Sequence, residues 1–144
     1  MESFVRGNLF DWAFDPFATN QDPRLLLVRQ GARGPLIGLA AHERIALVSR
    51  SGKRISATKL EVVAVSNDWQ GRRVSTGERA SDIVMSAAMT DIAKRVPPRH
   101  ARVLALVHEK NLRSLALCQR HGFVAELSRA RDLPQYRRLV TAGR

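Results

Sequence analysis

Two stretches of this 144-residue sequence combine charged and hydrogen-bonding residues at spacings that could do chemistry. The first is Leu60-Glu61-Val62-Val63-Ala64-Val65 running into Ser66-Asn67-Asp68-Trp69-Gln70-Gly71-Arg72-Arg73. A strand that feeds a polar loop and then a helix start gathers unpaired amides and the positive helix end at one spot, which suits an anion. Arg72 and Arg73 would add charge-assisted hydrogen bonds to a diphosphate. The second stretch runs from Val107 to Phe123. At about 100° per residue, Asn111, Ser114 and Cys118 fall within roughly 60° of arc on a helix. That small, hydrogen-bonding stripe on a Leu-rich helix suits an elongated, amide-bearing ligand. Equally, Asn111 reads as an N-cap and Cys118 as a small core residue.

Other chemistries lack their motifs. There is no Gly-x-x-x-x-Gly-Lys-Ser/Thr loop, no His-Glu-x-x-His, no paired Cys-x-x-Cys and no Gly-x-Ser-x-Gly, which disfavours a P-loop nucleotidase, a zinc site and a serine-hydrolase elbow. His42, His100, His108 and His121 are not spaced as metal ligands.

The elements that must position these stretches follow from apolar patterning. Leu25 to Val28, a turn at Gly31–Gly34, and Leu36 to Val48 read as an antiparallel hairpin. Ser49 to Ser56 reads as a polar loop. Lys59 to Ser66 is apolar on both faces, as a covered central strand would be. Ser75-Thr76-Gly77-Glu78 fits a capping box for a helix whose apolar positions are Met85, Met89, Ile92 and Val96, closed by Pro97-Pro98. Ala101 to Val107 is then a parallel neighbour of the central strand. Asn111 to His121 is a short helix capped by Gly122, and Phe123 to Ala130 and Tyr136 to Thr141 are two further strands, split by Asp132-Leu133-Pro134. The whole reads as a single α/β domain over residues 1–144, a mixed central sheet of about six to seven strands with flanking helices. Residues 1–23 stand apart: Phe4, Phe10, Trp12, Phe14 and Phe17 form an aromatic segment that packs on the core, on a partner copy as a homodimer contact, or as a pocket wall.

Together the two stretches resemble the GNAT acyltransferase superfamily over about residues 24–140. Ala64-Val65, Trp69 and Gln70-Gly71-Arg72 match its acetyl-CoA signature, and Asn111, Ser114 and Gly122-Phe123 match the spacing of its later motif. The resemblance implies that Val63, Ala64 and Val65 border the pantetheine arm of acetyl-CoA, with Val63 and Val65 pairing to it by backbone. It implies that amides of Gln70, Gly71, Arg72, Arg73, Val74 and Ser75 hold the pyrophosphate, and that Asn111, with Ser114 beside it, meets a pantetheine amide. It implies that a bound amine attacks a thioester polarised by a backbone N–H. Glu61, two residues before Val63 and so expected on the same face, is the first general-base candidate, and His108 the second. Three features depart from the family pattern. Its later loop glycines fall on Arg73 and Ser75, its leaving-group Tyr falls on Cys118, and only about 22 residues precede the first hairpin. Cys118 is the residue that would have to protonate the leaving thiolate.

Composition frames the partners. The chain has 24 Lys+Arg, 13 Asp+Glu, one Cys and a formal charge of +11. Residues 1–48 carry five basic and five acidic groups, so the whole excess lies in residues 49–144, a footprint for phosphates. The single cysteine suits a reducing compartment, and neither a membrane-length apolar run nor a signal-peptide core is present, so a cytoplasmic location is expected. The expected function is an acetyl-CoA-dependent N-acetyltransferase acting on an amine of a protein, peptide or aminoacyl-RNA, since some family members are toxins that acetylate aminoacyl-tRNA. The alternatives are a GNAT-like module that binds acyl-CoA or a partner without turnover, and a basic nucleic-acid-binding protein. Against the last, the aromatics do not interleave with the basic residues.

Overall fold

The computed structural model describes residues 21–48, 51–52, 54–96, 102–126 and 134–141. The aromatic segment, the Pro97-Pro98 stop and Asp132-Leu133 lie outside the described residues.

Period-2 patterning builds the first hairpin. In β1 (Gln21–Arg29), Leu26 and Val28 pack on the core, while Leu25 and Leu27 are exposed. β1 pairs antiparallel with β2 (Leu36–Val48), and Gln30 N–H donates to Pro35 across the turn at 3.0 Å. β2 pairs antiparallel with β3 (Arg54–Val65). This strand starts before the predicted one. Arg54 to Thr58 pair with Val48 to Arg44, so backbone pairing carries the polar residues assigned to the loop into the sheet.

After β3, a single 3-10 turn at Asn67–Trp69 leads through a loop to α1 (Ala80–Arg95). The capping box is not formed. The N-cap is Arg79, with no side-chain cap. Glu78 is taken by the Thr76 hydroxyl at 2.9 Å, and Val74–Glu78 and Gly77–Val74 backbone bonds close residues 73–79 into a small loop of their own. The helix therefore starts after the box. Ala80, Val84, Met85, Ala88 and Ile92 form its buried stripe.

α1 returns the chain to β4 (Val103–His108), parallel to β3. Asn111 caps α2 (Leu112–Arg120), its side chain accepting from Ser114 N–H at 3.1 Å, and Gly122 closes it at φ 80°. β5 (Phe123–Ala125) and β6 (Tyr136–Thr141) complete a six-stranded sheet in the order β1-β2-β3-β4-β6-β5. β5 stops well short of the predicted Ala130, residues 127–130 lying outside the described ones. Both helices contribute to one apolar cluster with Leu60, Val103, Ala105, Val107, Phe123 and Leu139. No helix among the described residues is long and apolar enough to cross a membrane.

Candidate functional site

The site begins with an irregularity in β3. Across β2 the pairing steps from Ala41–Val62 to His42–Leu60, so Glu61 is an extra, bulged residue. Its effect shows in the hydrogen bonds. Thr58 N–H donates toward β4, to Arg102 at 2.9 Å, whereas Ser66 N–H donates toward β2, to Ile37 at 2.9 Å. Eight residues apart, these two would share an edge in a regular strand. The bulge reverses the alternation, so Val63 and Val65 turn their N–H and C=O groups away from β2. On that side β4 pairs only with Thr58, Lys59 and Leu60, ending at Leu60–Ala105. Beyond it the two strands no longer pair, while β4 stays paired with β6 along its other edge as far as His108. The result is a gap edged by backbone groups that pair with no strand among the described residues, a place for an extended chain with amides of its own.

The loop at the end of this gap offers fewer amides than the sequence suggested. Gln70 donates to Asn67, Arg72 to Trp69 and Val74 to Glu78, so these three amides are consumed within the loop. Those of Gly71, Arg73 and Ser75 make no backbone hydrogen bond among the described residues. Arg73 stands opposite Arg79 across an isolated bridge whose hydrogen bonds belong to their neighbours. Its guanidinium folds back onto the Gly77 carbonyl, which takes up part of its hydrogen-bonding capacity and leaves its charge at the loop. Gly71, at φ 73°, supplies the turn that a side chain would oppose.

On α2 the capping role of Asn111 is real, and its carboxamide oxygen is spent on Ser114, leaving the Nδ2 donor for a ligand. Asn111 is exposed and Ser114 half-buried.

No protein-family model and no curated protein sequence matches this chain. Solved structures do. The AtaT toxin, solved as a point mutant bound to the C-terminus of the antitoxin AtaR, superposes with a TM-score of 0.63 at 13% identity, over 96% of this chain and 78% of that one. A Bordetella pertussis protein assigned to the GnaT acetyltransferase family gives 0.56 at 21% identity, over 99% and 78%. NAA60 from Arabidopsis thaliana, solved with acetyl-CoA, gives 0.55 at 12%, over 83% and 75%. This is the GNAT fold.

Within the GNAT fold the three catalytic candidates occupy very different surroundings. Glu61 does not share the face of Val63. Leu60 and Val63 both pack on the helix-side core, an odd spacing that the bulge permits. Glu61 instead pairs with Lys59 on the opposite face. His108, at the end of β4, has both ring nitrogens engaged: Nδ1 accepts from Lys110 N–H at 3.2 Å, so Nε2 is the one that donates to Gln135, at 3.2 Å. The Nδ1 lone pair is thus occupied by the chain's own backbone. Cys118 is 4% exposed within the core cluster, and burial pushes its thiol up to about 11. A thiol buried among apolar side chains fills space, so Cys118 is not placed to act as the general acid.

The sequence reading missed two features. Gly38, opposite Val65, admits no side chain: a Cβ there would stand 2.2 Å from the Ala64 carbonyl oxygen and 2.9 Å from Val84. A glycine inside an apolar strand run was its signal. Asp82, in the first turn of α1, accepts from Arg120 at 2.8 Å and lies 3.3 Å from His121. Burial opposes its ionisation, but these two partners outweigh it and hold the carboxyl below its ordinary value. The pair is 38 and 39 residues distant in sequence, which is why no local pattern announced it.

Proposed function

We propose that this chain is an acetyl-CoA-dependent N-acyltransferase acting on an amine of a protein, a peptide or an aminoacyl-RNA. The observation that carries this reading is the gap after Leu60–Ala105, edged by the backbone of Val63 and Val65. Those groups would pair with the amides of a pantetheine arm as if with an added strand, and Asn111 Nδ2 would donate to the same arm. Amides of Gly71, Arg73 and Ser75, with the Arg72 guanidinium, fit a diphosphate. Acetyl-CoA, when bound, supplies an activated acyl carbonyl. The NAA60 structure, which holds acetyl-CoA, supports that choice of donor. Glu61 is the base that relieves the attacking amine of its proton, directly or through water. The protein also stands as a candidate homodimer.

Calorimetric titration of acetyl-CoA, with the phosphate-free pantetheine thioester as control, tests the reading. Binding that requires the phosphates is expected. No binding at millimolar donor would overturn it. One observation favours a second reading, a donor-binding module without turnover: with Cys118 in the core, no side chain on α2 is assigned to protonate the leaving thiolate. Binding without thiol release in the presence of an amine would select that reading.

A further inference from the structure

On the sheet face away from both helices, Lys59 Nζ lies 2.5 Å from Glu61 Oε1, with the two side chains 30% and 22% exposed. Glu43, buried, stands directly opposite Lys59 on β2. On the other side Lys59 is in register with Leu104, one position before the last β3–β4 pair. Lys59 therefore roots at the closed end of the gap and extends its ammonium to the carboxylate at the bulge. Two residues of strand span about 7 Å, so an amine resting on Glu61 stands within a side-chain length of the backbone at Val63. An added strand would lie in the plane of the sheet, so its thioester would border this face as well as the helix side. The place that an acceptor amine would take against Glu61 is held by an amine of the protein itself.

We propose that Lys59 is an intramolecular acyl acceptor, and that the protein acetylates Lys59 Nζ with its own bound donor. This rests on the reading of the gap as an acetyl-CoA site. The Lys59 ammonium gives a proton to Glu61, and its nitrogen forms a bond to the acetyl carbonyl carbon. The carbon–sulfur bond breaks, the nitrogen gives up its second proton to solvent to become the neutral amide, and a proton from solvent completes the thiol of coenzyme A. Tethering favours this acceptor, because a group attached within reach acts at millimolar effective concentration or above, and far higher once oriented. The product is neutral, so acetylation also dissolves the Lys59–Glu61 ion pair.

The chain has four lysines, Lys53, Lys59, Lys94 and Lys110, which makes the site readable. The full-length protein is incubated with acetyl-CoA at neutral pH, digested and mapped by mass spectrometry. We expect acetylation concentrated on Lys59, at a rate independent of protein concentration. It should be slowed about 10²–10⁴-fold by Glu61→Gln, unchanged by Lys94→Arg, and lost from that position in Lys59→Arg, which keeps the cation and still binds donor by calorimetry. Donor binding with Lys59 unmodified would overturn the inference and leave the acetyl-CoA reading standing. So would acetylation spread over all four lysines and insensitive to Glu61→Gln. Absence of donor binding would bring down both.

Discussion

Cys118 shows how environment decides what a side chain can do. Its place in the sequence suggested an acid for the leaving thiolate. Its place in the core, with the thiol raised to about 11, makes it neither a ready thiolate nor a donor to anything beside it. A disulfide reagent at neutral pH should therefore leave Cys118 untouched in the folded protein and react fully in denaturant. Cys118→Ala should cost about 1 kcal/mol of stability, the scale of a small void, and change acetyl transfer by no more than a few-fold. A fall of about a hundredfold or more would restore the acid role. Gly38 makes the opposite point, since its importance lies in having no side chain. A methyl group there meets backbone, not a flexible side-chain tip. Gly38→Ala should destabilise by about 1–3 kcal/mol in urea denaturation, and it should weaken donor binding by shifting β3 at Val65. An unchanged midpoint would mean that the sheet yields there at no cost.

At the scale of elements, α1 is tied at both ends by carboxylates that reach outside it. Near its start Asp82 meets Arg120 and His121 of the α2 terminus, and near its end Asp91 meets His42 and Arg95, each at 2.9 Å. Asp82→Asn should cost about 1 kcal/mol at neutral pH, since the pair is partly solvated. The folded carboxyl titrates below its ordinary value of 3.8, so its contribution is present above that pH and fades as pH falls through the folded value. The difference between Asp82→Asn and the parent should vanish in acid. His42 acts with the same sign by another route. Burial, the largest influence, lowers it below 6.5 despite the Asp91 hydrogen bond. The unfolded chain therefore takes up a proton that the folded one refuses, and stability should decline from about pH 6.5 downward. Denaturation midpoints measured across pH 4–8 test this, and a midpoint flat down to pH 5 would contradict it. These ties mark the limit of what the sequence could say. The hairpin, the parallel crossover and the capped α2 were legible, because each rests on neighbouring residues: alternation, a turn, an Asn followed by Gly-Phe at the right interval. The Glu61 bulge was not. It exists only in the register between two strands, and a single extra residue there moved Glu61 to the other face. The failed capping box was illegible for a related reason: Ser75 and Glu78 had the right types, but the Val74–Glu78 and Gly77–Val74 bonds used the segment to close a loop.

For the whole molecule, the charge of +11 should act in opposite directions on folding and on binding. The excess belongs to residues 49–144, the part of the chain that supplies β3, the loop, both helices and the remaining strands. Packing these cations together costs self-repulsion, which salt relieves as the Debye length shrinks from about 30 Å at 0.01 M to about 3 Å at 1 M. The same cations, above all Arg72, Arg73 and Arg79 in the loop that holds the Gly71, Arg73 and Ser75 amides, would attract the phosphates of a donor, and salt weakens that attraction. Raising sodium chloride should therefore lift the thermal midpoint by a few degrees while weakening acetyl-CoA binding roughly tenfold. The phosphate-free pantetheine thioester should lose almost nothing. Three variants, Arg72→Gln, Arg73→Gln and Arg79→Gln, separate the local from the global contribution. If the loop guanidinium groups carry the attraction, each should flatten the salt dependence of binding while leaving that of stability nearly intact. Equal flattening by Lys94→Gln, on the last turn of α1, would show instead that the donor responds only to the diffuse field of the molecule.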